Sequence, residues 1–317
     1  MRKLFLLALL LLFFSSEIWA NAHVFVYHRF GDTTHASTNT TLKQLRSQFE
    51  YFKNNNYKVI SMSQLQDALY HDKKIDPKWI LLTIDDSYKS FYENGLALFK
   101  EYGYPFTLFV YVEATDKNYG DFMSWDQIRD TQKYGEIALH SYAHKHMVSL
   151  SLEDVQKDTS LAYQRFSKEM GFKPLYYVYP YGEYTPEIQK IIKNFNFKII
   201  CNQNSGAIDK DSNPFDLDRI ALTGSSVLKY KLRIKTLPTH WITPTVYPPN
   251  GKLQRVHATI PPIIKKAQFY ISGSQWQNVK VNKGEVIVDI NTSLTKKRTR
   301  LFLKYGNQQS ARILVRP

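Results

Sequence analysis

The chain has 317 residues, 43% of them hydrophobic and 15% aromatic, with a formal net charge of +14. That length and apolar share exclude a disordered or fibrous chain, and they allow one large domain, or one large and one small. Cys201 is the single cysteine, so an intrachain disulfide is excluded, and no local signature of a catalytic thiol surrounds it.

The N-terminus reads as a leader. Arg2 and Lys3 give a positive start, Leu4 to Phe14 form a short apolar run, and Ala20-Asn21-Ala22 supplies small residues. This is a signal-peptide pattern over 1–22, too short to span a bilayer comfortably. It predicts export, to a periplasm, a cell envelope or the medium. Ile18 and Trp19 make Ala20 an imperfect cleavage site, so an uncleaved N-terminal tether is the alternative.

From His23 to about Leu222 strands and helices alternate. "HVFVYH" is a strand. Residues 41–56 carry Leu42, Leu45, Phe49 and Phe52 at helical spacing. "YKVI" is a strand, and 61–70 a helix that Ser61 or Ser63 can cap. "WILLTI" is a strand, and 88–103 a helix stopped by Gly103. "PFTLFVYV" is a buried strand, followed by a helix capped by Ser124 and the strand "EIALH". A long helix covers 151–171. "LYYVY", "TPEIQKIIKNF", "FKIIC" and "RIAL" continue the alternation. Repeated strand–helix units predict an α/β fold with a parallel sheet, open or closed into a barrel, over 23–238.

After Leu237-Pro238 the pattern becomes short β-type runs broken by Pro, Gly and Asn. Residues 239–317 read as a small all-β, sandwich-like unit. It holds thirteen Lys or Arg against two acids, a net +11, which leaves +3 for the rest. Such a basic excess is either a solvated face or an attraction to an anionic glycan or membrane surface. Export argues against nucleic acid.

In parallel α/β folds, active sites lie at the carboxyl ends of strands. Four polar signals sit there: Asp85-Asp86 after "WILLTI", His140 and His144 after "EIALH", Tyr179 to Gly182 after "LYYVY", and His28 after "HVFVY". If the chain turns helically after His140, both imidazoles reach one ion. With a carboxylate they make two nitrogens and one oxygen, a set typical of catalytic zinc. Either half alone is a common chance pattern, and their joint placement at strand ends raises the signal.

"TIDDS" resembles the T-F-D-D-G motif, "HSYAH" the H-[ST]-x-x-H motif, and "VYPYG" the R-x-P-Y-G motif of the polysaccharide deacetylases (carbohydrate esterase family four, NodB-type domain). The resemblance covers about His23 to Leu222. It implies a distorted (β/α) barrel that removes acetyl groups from N-acetylated polysaccharide with a divalent metal, zinc first, cobalt or nickel otherwise. It assigns Asp85 as general base and Asp86, His140 and His144 as metal ligands. The backbone N–H near Tyr181 would hold the oxyanion. Tyr179, Pro180, Tyr181 and Arg219 are the residues expected near substrate, with Tyr179 or Tyr181 able to stack a sugar face.

Departures are visible. Ile84 replaces Phe and Ser87 replaces Gly. Val178 stands where many relatives place an Arg that pairs with the base, and Arg219 is the substitute. The terminal L-x-x-H motif of the general acid is not visible, and His240 is a weak substitute. His28 fits better, because exported poly-N-acetylglucosamine deacetylases, whose motifs are permuted, resemble this chain in a Y-H motif on the first strand. Asp121 and Trp125 are expected as wall residues only. An O-acetyl esterase and a non-catalytic glycan-binding protein remain alternatives.

Overall fold

A computed structural model describes residues 21–223 and 227–317. The leader expected over 1–22 lies outside the described residues except for Asn21 and Ala22. Ala22 is buried and exchanges backbone hydrogen bonds with Ile208 at 2.8 and 2.9 Å.

Eight strands build the first sheet: β1 (His23–Tyr27), β2 (Lys58–Val59), β3 (Trp79–Ile84), β4 (Thr107–Val110), β5 (Glu136–Leu139), β6 (Tyr176–Val178), β7 (Ile199–Cys201) and β8 (Ile220–Ala221). Their order is β8-β1-β3-β4-β5-β6-β7, with β2 beside β3, and every pairing is parallel. One segment draws the two edges together. Leu217 bridges Cys201 on β7, and Ile220 and Ala221 pair with Phe25 and Val26 on β1. The sheet thereby curls into the expected distorted (β/α) barrel.

Alternation along β3 sorts its side chains. Ile80, Leu82 and Ile84 join the core cluster shared with the helices. Leu81 joins the opposite cluster, with Val24, Phe109, Ala138, Val178 and Cys201. Burying one such side chain contributes about 1.5–3 kcal/mol. The two-residue period carries Thr83 and Asp85 onto the Leu81 side.

The helices follow their sequence signals. α1 (Leu42–Asn54), α2 (Met62–Tyr70) and α5 (Trp125–Thr131) open with capping boxes at Thr41, Ser61 and Ser124. α3 (Leu96–Tyr102) and α6 (Leu152–Met170) end on left-handed Gly103 and Gly171. Two expectations need correcting. The helix expected over 88–103 opens with a π turn, Phe91–Gly95, before α3. The strand expected to reach Val112 stops at Val110, and α4 (Val112–Asp116) begins. Its first N–H groups, from Val112 and Glu113, donate to Ser141 and Tyr142 carbonyls. That loop caps α4 and ends the strand.

The C-terminal strands are β9 (Lys235–Thr236), β10 (His240–Thr243), β11 (Lys252–Thr259), β12 (Lys266–Ile271), β13 (Gln277–Lys280), β14 (Glu285–Ser293), β15 (Arg298–Tyr305) and β16 (Gln308–Val315). They form a five-stranded sheet, β9-β16-β15-β12-β13, and a three-stranded sheet, β10-β11-β14. Val256 and Val286 from one sheet and Phe269, Leu301 and Leu303 from the other share one buried cluster. Gln309 donates to the Ser205 carbonyl at 2.7 Å, and the Ile313 N–H to Asn204 Oδ1 at 3.1 Å, tying this sheet to the barrel. Among the described residues, no helix is long and apolar enough to cross a membrane.

Candidate active site

The two adjacent carboxylates part at the end of β3. Asp85 continues the strand's inner face and is fully buried. Arg219 grips it from the segment that closes the barrel: Nη1 and Nη2 each donate to one carboxylate oxygen at 2.7 Å. The guanidinium also donates to Thr83 Oγ1 and to the Asn202 carbonyl, both at 3.0 Å. Burial alone would raise the Asp85 carboxyl. The Arg219 charge and its hydrogen bonds, together with the His140 and His28 charges, outweigh that burial and hold the group below its ordinary value. Each carboxylate oxygen keeps a further lone pair for a proton.

At Asp86 the backbone turns left-handed, with φ 73° there and φ 55° at Ser87. Such a conformation costs a residue with a Cβ about 1–2 kcal/mol. It explains why the family motif carries glycine where this chain has Ser87. The turn sends Asp86 toward the loop after β5. Asp86 Oδ1 lies 3.2 Å from His140 Nε2 and 3.0 Å from His144 Nε2, and the two Nε2 atoms are 3.0 Å apart. The helical turn expected after His140 is not what achieves this. Residues 140–146 form an irregular loop with left-handed Ser141 and His144. Asp158 of α6 braces it by accepting from the N–H groups of Tyr142 and Ala143 at 3.0 and 2.8 Å.

The donor chemistry of this trio fits a cation. His140 Nδ1 donates to the Val178 carbonyl at 2.9 Å, so in the neutral ring Nε2 carries a lone pair. Among the described residues, Asp86 Oδ1 is buried and meets no donor with hydrogen-bond geometry. A neutral His144 can bring at most one proton to three acceptor atoms. The arrangement lacks donors, and two imidazole nitrogens with one carboxylate oxygen suit a divalent ion.

His28 follows β1 directly. Tyr27 pairs with Ile84, and the Tyr27 carbonyl accepts from the Asp85 N–H, so His28 stands beside the carboxylates and interacts electrostatically with both. Its Nδ1 is buried and has no hydrogen-bond partner among the described residues. His240 is exposed on β10, paired to Thr259 in the three-stranded sheet.

Tyr181 is half-buried, left-handed at φ 58°, and its ring centroid is 4.6 Å from that of His144. Three expected substrate contacts fare differently. Tyr179 is fully buried between the rings of Tyr177 and Tyr184, at 5.6 and 4.8 Å, so it has no free face for a sugar. Pro180 is buried too. Arg219 is sealed behind Asp85 and supports that carboxylate instead of meeting substrate.

Other wall residues escaped the sequence reading. Tyr88 lies against Asp86, and burial together with that charge pushes its phenol up. Arg29 lies 3.5 Å over the Tyr88 ring and is held by Asp32 and Asp121, which gives Asp121 an anchoring role. Tyr111 sits 5.3 Å from the His144 ring, and Phe122 touches both Tyr111 and Tyr88. Tyr111 directly follows β4, so the strand-end rule could have found it. Trp125 is not a wall residue: it is nearly buried and donates to Asp116 at 2.9 Å.

Residues 72–200 match the family model described as polysaccharide deacetylase. YxkH of Bacillus subtilis (strain 168), whose name assigns it provisionally to polysaccharide deacetylases, is 20% identical over 205 residues, covering 64% of this chain and 72% of that protein. The poly-beta-1,6-N-acetyl-D-glucosamine N-deacetylase of Staphylococcus aureus (strain MSSA476) is 22% identical over 195 residues, covering 57% of this chain and 66% of that protein. The fold is similar to Streptococcus pyogenes deacetylase PplD in complex with acetate. That match has a TM-score of 0.61 and 19% identity, and covers 65% of this chain and 93% of that one.

Proposed function

We propose that this chain, which belongs to the polysaccharide deacetylase family, is a metal-dependent hydrolase that removes acetyl groups from N-acetylated sugars of a polysaccharide. The observation that carries this reading is the donor-poor Asp86–His140–His144 trio beside a separate, Arg-paired carboxylate. Those three residues would hold the ion, zinc or otherwise cobalt or nickel. A bound divalent ion supplies Lewis-acid polarisation of the acetamide carbonyl and of water.

The chain's own residues supply the proton transfers. Asp85, kept ionised by Arg219, accepts a proton from the attacking water. The acetamide carbonyl becomes tetrahedral, with its oxygen facing the backbone N–H near Tyr181. His28 donates a proton to the leaving nitrogen, the C–N bond breaks, and acetate and a free amino sugar result. Poly-β-1,6-N-acetylglucosamine is the substrate class suggested by the name of the S. aureus relative. Export, division of the chain near residue 238, and attraction of the +11 C-terminal unit to an anionic glycan or membrane surface belong to the same proposal.

The test is acetate release by the purified protein from β-1,6-linked N-acetylglucosamine oligomers, with and without chelator, and with zinc, cobalt or nickel restored. Activity on acetylxylan alone would redirect the reading to an O-acetyl esterase. Metal binding without hydrolysis of any acetylated substrate would leave a glycan-binding protein.

A further inference from the structure

Tyr181 and Gly182 are both left-handed, at φ 58° and φ 69°. Gly182 suits this conformation, and a Cβ there would overlap Gln203. Tyr181 does not suit it: a non-glycine residue held so costs about 1–3 kcal/mol and persists only when its surroundings impose it. The surroundings here reach in from the other end of the chain. Arg298 opens β15 of the C-terminal five-stranded sheet, and its Nη2 donates to the Tyr181 carbonyl. The same Nη2 lies 3.0 Å from Glu183 Oε1. The Glu183 side chain is only 2% exposed, and its other oxygen is 2.8 Å from His146 Nδ1. The His146 ring stacks on the Tyr181 ring, with centroids 4.1 Å apart and planes 16° apart. The circuit therefore closes: Arg298 holds the Tyr181 backbone, Glu183 ties Arg298 to His146, and His146 covers the Tyr181 ring, which itself meets His144.

We infer that Arg298 is a positioning residue for the deacetylation site, so that the C-terminal sheet completes the catalytic loop. The inference rests on the function proposed above. Two features distinguish the contact from ordinary packing between units. The acceptor is the backbone of the one strained residue in the third motif, and the counter-charge, Glu183, is buried two residues along the same loop. A buried carboxylate without its partner is costly, so Arg298 and His146 are needed together to keep Glu183 in place. Lysine keeps the charge and the donors but places them on a flexible stem, without the planar guanidinium that fixes their direction.

The experiment uses the full chain. Arg298→Ala and Arg298→Lys are compared with wild type and with Arg255→Ala, which removes an exposed pair with Asp289 elsewhere on the C-terminal unit. Steady-state kinetics, zinc content and hydrogen exchange of the 179–184 segment are measured for each. Misplacing a catalytic group by about 1 Å costs roughly 10²-fold. A fall in kcat of that order is expected in Arg298→Ala, with KM and zinc content near wild type, partial recovery in Arg298→Lys, and faster exchange confined to 179–184. Arg255→Ala should move none of these. Wild-type kcat and exchange in a folded Arg298→Ala protein would overturn the inference. So would a loss of protection spread over the whole barrel, which would mean that Arg298 only fastens two units. If the alanine variant does not fold, Arg298→Lys and Glu183→Gln carry the same comparison. If the wild-type chain releases no acetate, the proposed reaction fails, and exchange at 179–184 still reads the clamp.

Discussion

The most demanding test of the site is to remove Arg219. Its side chain and that of Asp85 are both 0% exposed, joined by two hydrogen bonds of 2.7 Å. In Arg219→Met the carboxylate stays buried and loses its guanidinium partner, and Thr83 Oγ1 and the Asn202 carbonyl each lose a donor. Breaking a buried pair by deleting one partner costs about 3–5 kcal/mol, because the remaining charge is uncompensated. For a domain of about 200 residues, each kcal/mol moves the Tm by roughly 2–4 °C, so calorimetry should show a drop of roughly 6–20 °C. Asp85→Asn in the same chain removes the stranded charge. The double variant should therefore melt above Arg219→Met, with a coupling of about 0.5–3 kcal/mol in the double-mutant cycle. Both variants should lose acetate release, one through a disordered carboxylate and the other through its absence. A Tm for Arg219→Met within 2 °C of wild type, or simple additivity in the cycle, would refute the claim that this pair is a buried, coupled unit.

Other consequences are open to direct measurement. Asp86→Asn and His144→Ala should each weaken zinc binding by at least about 10-fold in titration calorimetry, and unchanged affinity would remove them from the ligand set. His28→Ala should slow amide hydrolysis by about 10²–10⁴-fold yet spare 4-nitrophenyl acetate, whose leaving group needs no proton; equal losses on both would deny His28 the acid role. His23 is buried with Nε2 at 2.9 Å from the Ile234 carbonyl, and burial lowers it to about 4. The unfolded chain then takes up this proton first. Stability is complete above about pH 6.5 and declines as pH falls toward 4, by about 3 kcal/mol in all. His23→Gln should flatten that decline in Tm-against-pH scans, and parallel curves would count against it.

Some of this site was legible because its chemistry is local. Asp85 and Asp86 are adjacent, His140 and His144 are four apart, and strand ends follow from apolar runs that stop at polar residues. The partnership of Arg219 with Asp85 was accessible by elimination, since Val178 left the carboxylate without the family's arginine. H-x-x-x-H would suit a helix face, yet the loop after β5 is irregular. What brings the rings together is a pair of left-handed residues braced by Asp158, and neither Ser141 nor His144 advertises a positive φ. Tyr179 and Tyr181 are indistinguishable in sequence for a related reason: both are aromatic, and only the direction of the turn at Pro180 decides which ring is sealed in the core.

The least legible part is the support from 115 residues downstream. Read alone, Arg298 is one of thirteen basic residues in a strongly positive segment, and Glu183 is an acid in a loop. Net charge suggests a surface that attracts polyanions, and it says nothing about which cation is spent within the fold. Burial makes that distinction. Glu183 is hidden, so it must be paired, and its partners must come from whatever packs over the third motif. The sheet that does so supplies Arg298, and the loop before α6 supplies His146. The basic character of the C-terminal unit and its part in shaping the active site thus have separate physical origins. Arg255, exposed and paired with Asp289, belongs to the first, and Arg298 belongs to the second.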